Sequence, residues 1–585
     1  MENKEYLGHL RHSAAHLLAA AVSEIWPDAK RTIGPAIDNG FYFDFDFGKI
    51  TISEEDFPVI EKEMKEILKG WSNFERIDTT KEEALQKTEG NEYKKELIEE
   101  FSSEGQDLTF YKSGNYEDLC KGGHVENPFK ELGAFKLLSI AGAYWRGNEK
   151  NKMLTRIYGT AFSTEAELEE YLNRLEEAKK RDHRKLGKEL GLFTFSELVG
   201  SGLPLFTPKG TFLRTQLAGF SEELQREAGF EQVWIPHITK TDLYKVSGHW
   251  DKFAGELFIV KSQETDDVFV MKPMNCPHHT QIYASQKRSY RELPIRYFET
   301  TTIYRDEKAG ELSGLSRVRS ATQDDAHIFC RMDQIEGEFT NIMNMIKKLY
   351  SALGLTFKAR LSFRDAKEPT KYHGDDESWN DSQKIIEDVA KKLNLDYFIA
   401  EGEAAFYGPK IDIMVIDSLA REWQCATEQL DFIQPKRFGL TYIDSDGQEK
   451  MPVMIHKALL GSVERFLSVY IEHTAGNFPL WLCYTQAIVV PISGEKHNDY
   501  AYKIKEILKS KGIRTDVDDA NETLGNKIRK AQANKIPYVL VIGDKEMANN
   551  SVNVRLRGGE ALGELTIEEF ANIANEKIKN KVINL

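Results

Sequence analysis

The sequence predicts an α+β protein of several domains, and three observations carry that prediction. The chain has 585 residues, well beyond the ~250 to 300 at which single hydrophobic cores stop growing. From about Gly191 to Leu480, strand-like and helix-like patterns mix without the regular alternation of a doubly wound sheet. From Trp481 onward strands and helices alternate, which marks a separate α/β module.

Composition narrows the class. Hydrophobic residues make up 41% and charged residues 29%, the mix of a globular protein, and no apolar run approaches the ~18 residues of a membrane span. A formal net charge of -15 argues against a globally basic nucleic-acid binder, so neither DNA nor a membrane is an expected partner. The N-terminus MENKEYLGHLRHSAAH has no apolar signal core. Five cysteines at irregular spacing outline no disulfide framework, and a cytoplasmic location is expected.

The first domain, residues 1–163, opens with a helix over His9 to Ile25 that carries His12 and His16 four apart on one face. The run NGFYFDFDF alternates as a strand, with Phe41, Phe43, Phe45 and Phe47 on one side. Farther on come Asp118, Cys120 and, after Lys121-Gly122-Gly123, His124. HxxxH with CxxxH has the residue types and spacings of a zinc site. Core histidines fit the same residues, as do polar groups that orient water or substrate without metal. Ser13 stands where an HExxH protease needs its glutamate, which argues against peptide hydrolysis.

Thr164 to Lys188 reads as one long linker helix. Thr164 and Glu167 make a capping box, and Lys179, Lys180, Arg181, Arg184 and Lys185 crowd the last turns, complementing the helix dipole.

In the central domain, residues 189–480, a helix over Thr211 to Gly229 runs into a strand, Val233-Trp234-Ile235-Pro236. Arg296 to Arg331 reads as two strands joined by a long loop through Gly310 and Gly314, with Arg305, Glu307, Arg317 and Arg319 around it. Arginine forks offer paired hydrogen bonds to phosphate, and Glu307 can accept one from an exocyclic amine; an exposed charged hairpin is the plainer alternative. Gln323-Asp324-Asp325-Ala326-His327, closed by Ile328 and Phe329, is harder to explain as surface. With no GxxxxGK[ST] and no strand-to-helix GxGxxG, neither a P-loop nor a dinucleotide fold is supported. AAFYGPKIDIMVI and WQCATEQLDF follow, the latter as a strand. HKALLGSVERFLSVYIEH reads as a turn into a helix from which Arg465 projects, with Gly461 permitting close backbone approach.

The last domain, residues 481–585, alternates strand AIVVPI, helix Tyr500 to Lys511, strand IRTDV, helix Leu524 to Asn534, strands YVLVIG and VNVRLR, and helix Thr566 to Asn580.

As a set, these stretches resemble the threonyl-tRNA synthetase family of class II aminoacyl-tRNA synthetases over nearly the whole chain. The segment ending at Pro236 is similar to class II motif 1, the dimer-forming element; YRDE through RVR is similar to motif 2 and GSVERF to motif 3. MKPMNCP, QDDAHIF and VMIHKA single out the threonyl family, and class I HIGH and KMSK signatures are absent. The family often begins with a ubiquitin-like domain, whereas this chain starts at the editing domain.

The resemblance implies an antiparallel-sheet class II catalytic core, an N-terminal α+β editing domain and a C-terminal α/β anticodon-binding domain. It implies a homodimer that uses ATP with Mg2+, L-threonine and tRNA(Thr), passing through threonyl-adenylate. Arg305 would hold the α-phosphate, Glu307 the adenine amine, Arg317 the γ-phosphate and Arg465 the polyphosphate tail, while His249 matches a histidine implicated in transfer to tRNA. Cys276, His327 and His456 match ligands of one Zn2+ per subunit, whose open position takes the amino acid; Asp325 would accept from the threonine hydroxyl, and Gln323, Tyr407 and Gln424 would line the pocket. A site built for a hydroxyl rejects valine strongly. Serine lacks only a methyl, worth ~1 to 3 kcal/mol, so editing is needed.

The resemblance assigns that editing to His12, His16, Cys120 and His124, with Asp118 and Lys94, as polar groups that orient water rather than as a zinc site. Asn521, Lys535, Glu546 and Arg555 would contact splayed anticodon bases. The chain departs from the family at CKGGH, where CxGPH is more usual, at Phe43, where tyrosine is common, and at Ala321, where a larger side chain commonly meets adenine. A catalytically silent tRNA-binding regulator would be expected to lose Arg305, Arg465 or a zinc ligand; all are retained. The Cys-His-His set and QDDAH argue against a prolyl enzyme.

Overall fold

The computed structural model describes residues 2–253 and 255–585. The chain forms two compact units, one running through Glu177 and the other from Ala178 to Leu585.

In the first unit the helix Glu2–Ile25 is rich in alanine, and Leu10, Ala14, Leu17, Leu18 and Ala21 are fully buried in its contact with an antiparallel sheet. Four strands of that sheet run in the order Lys30–Arg31, Gly40–Asp46, Met153–Phe162, Ala134–Tyr144. The alternation read in NGFYFDFDF holds, with Phe41, Phe43, Phe45 and Phe47 all in the core. A second sheet, Glu75–Asp78 with Thr109–Ser113 and Tyr116–Leu119, brings Asp118 and the turn from Cys120 to His124 toward the first helix.

The linker differs from the single helix expected over Thr164 to Lys188. It consists of Glu165–Arg181 and His183–Glu189, broken at Asp182. Asp182 has extended backbone (ψ 122°) and its carboxylate accepts from Arg184 N–H at 2.8 Å, so an internal N-cap stops one helix and starts the next.

The second unit is built on an eight-stranded sheet. Its order is Glu231–Gln232, Ile295–Tyr304, Ser320–Cys330, Val453–Ser462, Glu422–Asp431, Lys410–Ile416, Thr356–Phe363, Tyr397–Glu401. All neighbours are antiparallel except the two outermost pairs. Alternation divides the labour between faces. Ala326, Ile328, Ile413 and Ile455 join the core formed with helices Pro208–Glu227, Ile335–Leu353 and Val463–Thr474, while Asp325, His327 and His456 look to the other face.

The expected strand over Val233 to Pro236 is cut short. Only Glu231–Gln232 pairs, in parallel with Tyr297 and Phe298, and Val233 N–H reaches Phe298 O at 3.0 Å before the chain departs. The Glu299 carboxylate takes Ile235 N–H at 3.3 Å, Pro236 has no N–H to offer, and Trp234 is left 74% exposed.

The C-terminal module follows the expected alternation. Thr515–Val517, Ala487–Pro491 and Tyr538–Ile542 are parallel, and Ser551–Leu556 adds antiparallel. A fifth strand, Ala561–Thr566, escaped the sequence reading because Gly563 and flanking polar residues weaken its pattern. Among the described residues no helix is long and apolar enough to cross a membrane.

Candidate active sites

On the open face of the eight-stranded sheet, residues far apart in sequence converge. His327 and His456 face each other as register partners on adjacent strands, and Cys276 begins the helix Cys276–Ala284 beside them. Ligand atoms of Cys276, His327 and His456 all lie within 4.8 Å of one another, and all three side chains are buried. Each ring has its second nitrogen engaged: His456 Nε2 donates to Asp431 Oδ2 at 2.8 Å, and His327 Nδ1 lies 2.8 Å from His279 Nδ1. Such outer contacts fix tautomers and leave one nitrogen of each ring for a metal. A Cys-His-His donor set of one thiolate and two neutral imidazoles, with an engaged outer shell, fits zinc, and three ligands leave a coordination position open. In the protein alone, burial pushes the Cys276 thiol up and the His327 imidazolium well down.

Asp325 stands next to this cluster, its Oδ1 3.8 Å from His327 Nε2, while Asn275 Nδ2 donates to Oδ2 at 3.0 Å. Burial pushes its carboxyl up to about 6. Tyr407 stacks on His456 at 4.8 Å and its hydroxyl donates to Gln429. His249 is buried against the cluster, Nε2 3.7 Å from Cys276 Sγ, and burial lowers it to about 3. Gln424 donates to Asp412 Oδ1 at 2.8 Å and accepts from Arg360 at 2.8 Å. Gln323 shares the Asp325 and His327 strand, paired with Ser462 at the edge of a bulge. Asn275, His279, Asp431 and Gln429 were missed by the sequence reading. Thr427, Gln429 and Asp431 alternate along one strand, a signal that could have found two of them.

The hairpin read in Arg296 to Arg331 is present as Ile295–Tyr304 and Ser320–Cys330, with the loop between. Arg305 is half-buried at its base, with Nη2 3.1 Å from Met274 Sδ; Met274 lies two positions before Cys276, so the arginine abuts the donor cluster. Arg317 bonds Glu307 Oε2 through Nε (2.8 Å) and Nη2 (2.7 Å), and Glu311 through Nη2 (3.0 Å). Arg319 donates twice to the Glu307 carbonyl. Arg465 is exposed in the first turn of Val463–Thr474, whose N-cap is Ser462. Just before it, Gly461 has φ 72°, and a Cβ there would stand 2.5 Å from Cys425 O. The buried Asp324 carboxylate gathers the N–H groups of Leu459, Leu460 and Gly461, satisfying backbone that the bulge removes from the ladder.

In the first unit His12, His16, Cys120 and His124 meet with ligand atoms within 4.8 Å, and His12, His16 and Cys120 border a cavity of about 340 Å³ that Phe43, Lys94 and Asp118 also line. Cys120 Sγ lies 3.5 Å from His12 Nε2 and 3.3 Å from His124 Nε2. Ser13 Oγ lies 3.2 Å from His124 Nδ1, and His124 stacks on Phe74 at 4.0 Å. Burial lowers all three histidines, His124 to about 3, and pushes the Cys120 thiol up to about 11. His16 Nδ1 is buried without a hydrogen-bond partner. Lys94 and Asp118 form a buried ion pair at 2.9 Å. Burial lowers Lys94; it pushes Asp118 up, but Lys94 and Arg31 pull that carboxyl back below the usual range.

The four anticodon candidates do not all come together. Asn521 follows the Thr515–Val517 strand and Glu546 follows Tyr538–Ile542, both at the C-terminal ends of parallel strands, with Glu546 accepting from Gly543 N–H at 2.9 Å. Lys535 lies at the far end of Leu524–Ala533, a helix spanning about 15 Å, where it lines a cavity with Gly476 and Cys483. Arg555 is exposed on Ser551–Leu556, opposite Val539.

Comparison with known proteins covers all of these regions. Residues 258–474 match the family model of the tRNA synthetase class II core domain (G, H, P, S and T), residues 486–577 an anticodon binding domain, and residues 108–158 the threonyl and alanyl tRNA synthetase second additional domain. A threonine--tRNA ligase of Flavobacterium johnsoniae is 48% identical over 572 residues, covering 97% of this chain and 88% of its own. One from Thermotoga petrophila is 45% identical over 586 residues, covering 100% and 89%. Among solved structures, the RNA binding domain of threonyl-tRNA synthetase from Cryptosporidium parvum aligns with TM-score 0.64 and 37% identity over 68% of this chain and 98% of that one. Giardia lamblia prolyl-tRNA synthetase in complex with prolyl-adenylate aligns with TM-score 0.55 over 70% and 82%, at 18% identity, a likeness of fold alone.

Proposed function

The chain belongs to the threonine--tRNA ligase family, and on that premise we propose how its residues divide the work. It joins L-threonine to tRNA with ATP through a class II core and carries the domain that edits mischarged product. Cys276, His327 and His456 would hold one zinc ion per subunit. A zinc ion held there would supply a Lewis acid suited to a ligand with both an amine and a hydroxyl. Asp325, oriented by Asn275, accepts from that hydroxyl, and Tyr407, Gln323 and Gln424 with its Asp412 contact bound the pocket.

The threonine carboxylate attacks the α-phosphate of ATP and pyrophosphate leaves. Arg305 holds the α-phosphate; Arg317 and Arg465 hold the outgoing polyphosphate, with Mg2+ sharing its charge; and Glu307 accepts from the adenine amine. The terminal ribose hydroxyl of tRNA then attacks the carbonyl carbon of threonyl-adenylate and AMP leaves, with His249 at the threonine end of the site. The observation that carries this reading is the single strand Ser320–Cys330, which leaves the phosphate loop and within a few residues presents Asp325 and His327 to Cys276 and His456.

Editing is assigned to His12, His16, Cys120 and His124, which place a water on the ester of seryl-tRNA, with Lys94 and Asp118 fixing the wall of the cavity. Four protein ligands would close a metal's coordination sphere, as structural sites do, whereas His12, His16 and Cys120 border an open cavity. That favours water over metal. The domains run 1–163, 164–188, 189–480 and 481–585. Asn521, Glu546 and Arg555 contact the anticodon, with Lys535 joining from the far end of its helix. Exposed Trp234 beside the short outer strand Glu231–Gln232 supports a homodimer through that edge, working in the cytoplasm.

Amino-acid-dependent ATP–pyrophosphate exchange with threonine, serine, valine and proline tests the assignment, paired with zinc analysis of the purified protein. Threonine should lead, serine should follow within about 10- to 200-fold, and Cys276→Ala should lose both the metal and threonine activation. Exchange without a threonine preference would overturn the specificity assigned to Asp325 and the Cys-His-His set.

A further inference from the structure

We propose that His183 is a positioning residue that bolts together the two arms of the ATP clamp. The inference rests on the reading that Arg317 and Arg465 hold the polyphosphate. His183 starts the helix after the break at Asp182 and is buried. Leu315 N–H donates to its Nε2 at 3.1 Å, which makes Nε2 an acceptor and leaves the ring proton on Nδ1. Nδ1 in turn donates to Glu472 Oε1 at 2.7 Å, and the His183 backbone N–H donates to the same oxygen at 3.1 Å. One neutral imidazole therefore spans two elements, with one nitrogen committed to each.

Those elements are the two arms. Leu315 is the fully buried centre of the loop tip that ends at Arg317, and the tip is closed by reciprocal 3.2 Å hydrogen bonds between Ser313 and Arg317. Glu472 lies on Val463–Thr474, about two turns beyond Arg465 and so on the same side of that helix. A second tie, Ser316 Oγ to Ser468 Oγ at 2.9 Å, joins the same loop and helix. Gly314 has φ 50°, and a Cβ there would stand 2.2 Å from His183 Nε2, so the loop lies directly on the ring.

Asp182, His183 and Glu472 have metal-donor chemistry within 4.8 Å, yet their atoms are already engaged. Both ring nitrogens bond the protein, Asp182 binds Arg184, and Glu472 Oε2 accepts from Arg421 at 2.6 Å. The cluster is a joint. Removing the ring would leave Leu315 N–H buried without an acceptor and free the tip to drift from the helix.

The test is ATP–pyrophosphate exchange and seryl-tRNA deacylation with the full chain carrying His183→Phe, His183→Gln or Gly314→Ala, with Arg317→Ala as reference. His183→Phe and Gly314→Ala should each raise the KM for ATP about tenfold, with the KM for threonine and the deacylation rate unchanged. His183→Gln, whose amide oxygen can reach Leu315 N–H, should recover part of the loss. If His183→Phe fails to fold, the other two variants decide the matter. An unchanged KM for ATP in the His183 and Gly314 variants, while Arg317→Ala raises it, overturns the bolt. A parallel rise in both KM values, with no recovery in His183→Gln, also overturns it, in favour of a merely structural role. If Arg317→Ala itself leaves the KM for ATP unchanged, the reading of the clamp fails instead.

Discussion

Lys94 and Asp118 bury opposite charges 2.9 Å apart in the wall of the cavity bordered by His12, His16 and Cys120. Asp118→Asn would strand the ammonium, and urea unfolding at pH 7 should show a loss of about 3 to 5 kcal/mol. That deficit should shrink as pH rises and Lys94 gives up its proton. In the wild type the sign is reversed for acid: because the folded Asp118 carboxyl lies below its usual value, its contribution is complete above the unfolded carboxylate range and is lost as pH falls through the folded one. Cys120, held up to about 11, should resist iodoacetamide at pH 8 and react appreciably only as pH approaches that value; rapid alkylation at neutral pH would contradict a neutral thiol beside the three histidines. The cluster of His12, His16, Cys120 and His124 was legible because HxxxH on a helix and CxxxH in a turn are local patterns. Cys276, His327 and His456 were not, since nothing in spacing links them; resemblance did so, and sheet register then placed two of them face to face.

At the scale of elements, the irregularities matter more than the regular runs. Gly461 turns the Val453–Ser462 strand into the helix of Arg465 with a Cβ position blocked by Cys425 O at 2.5 Å. Gly461→Ala should therefore displace that helix and lower kcat/KM for threonine activation by about 100-fold, the cost of an ångström of misplacement, read by ATP–pyrophosphate exchange. Strand alternation was readable from sequence, and it correctly assigned the phenylalanine face of Gly40–Asp46. Alternation alone does not reveal that a register shift between Asp412 and Met414 lets Gln424 and Thr427 bond the same carboxylate. Charge at both ends suggested one linker helix. The break at Asp182 was hidden because a side-chain cap inside a helical sequence looks like any other polar position, and only the Arg184 contact reveals it.

For the whole molecule, the two units carry separate hydrophobic cores, and the C-terminal module a third. A fragment comprising residues 178–585 is expected to fold and to retain threonine-dependent exchange while losing seryl-tRNA deacylation, measured on the same preparation; loss of both activities would contradict the division. The mixed α and β, multidomain character was visible in length and patterning, whereas the convergence of the central sheet was not, because pairing order is a long-range property. One buried carboxylate offers a clock for that sheet. The amides of Leu459, Leu460 and Gly461 end on the buried Asp324 carboxylate rather than on the backbone of the neighbouring strand, in the interior of the sheet, away from its fraying edges. Hydrogen–deuterium exchange at these three positions should be among the slowest in the chain and should respond only to opening of the entire second unit, timing how often the floor of the active site meets solvent.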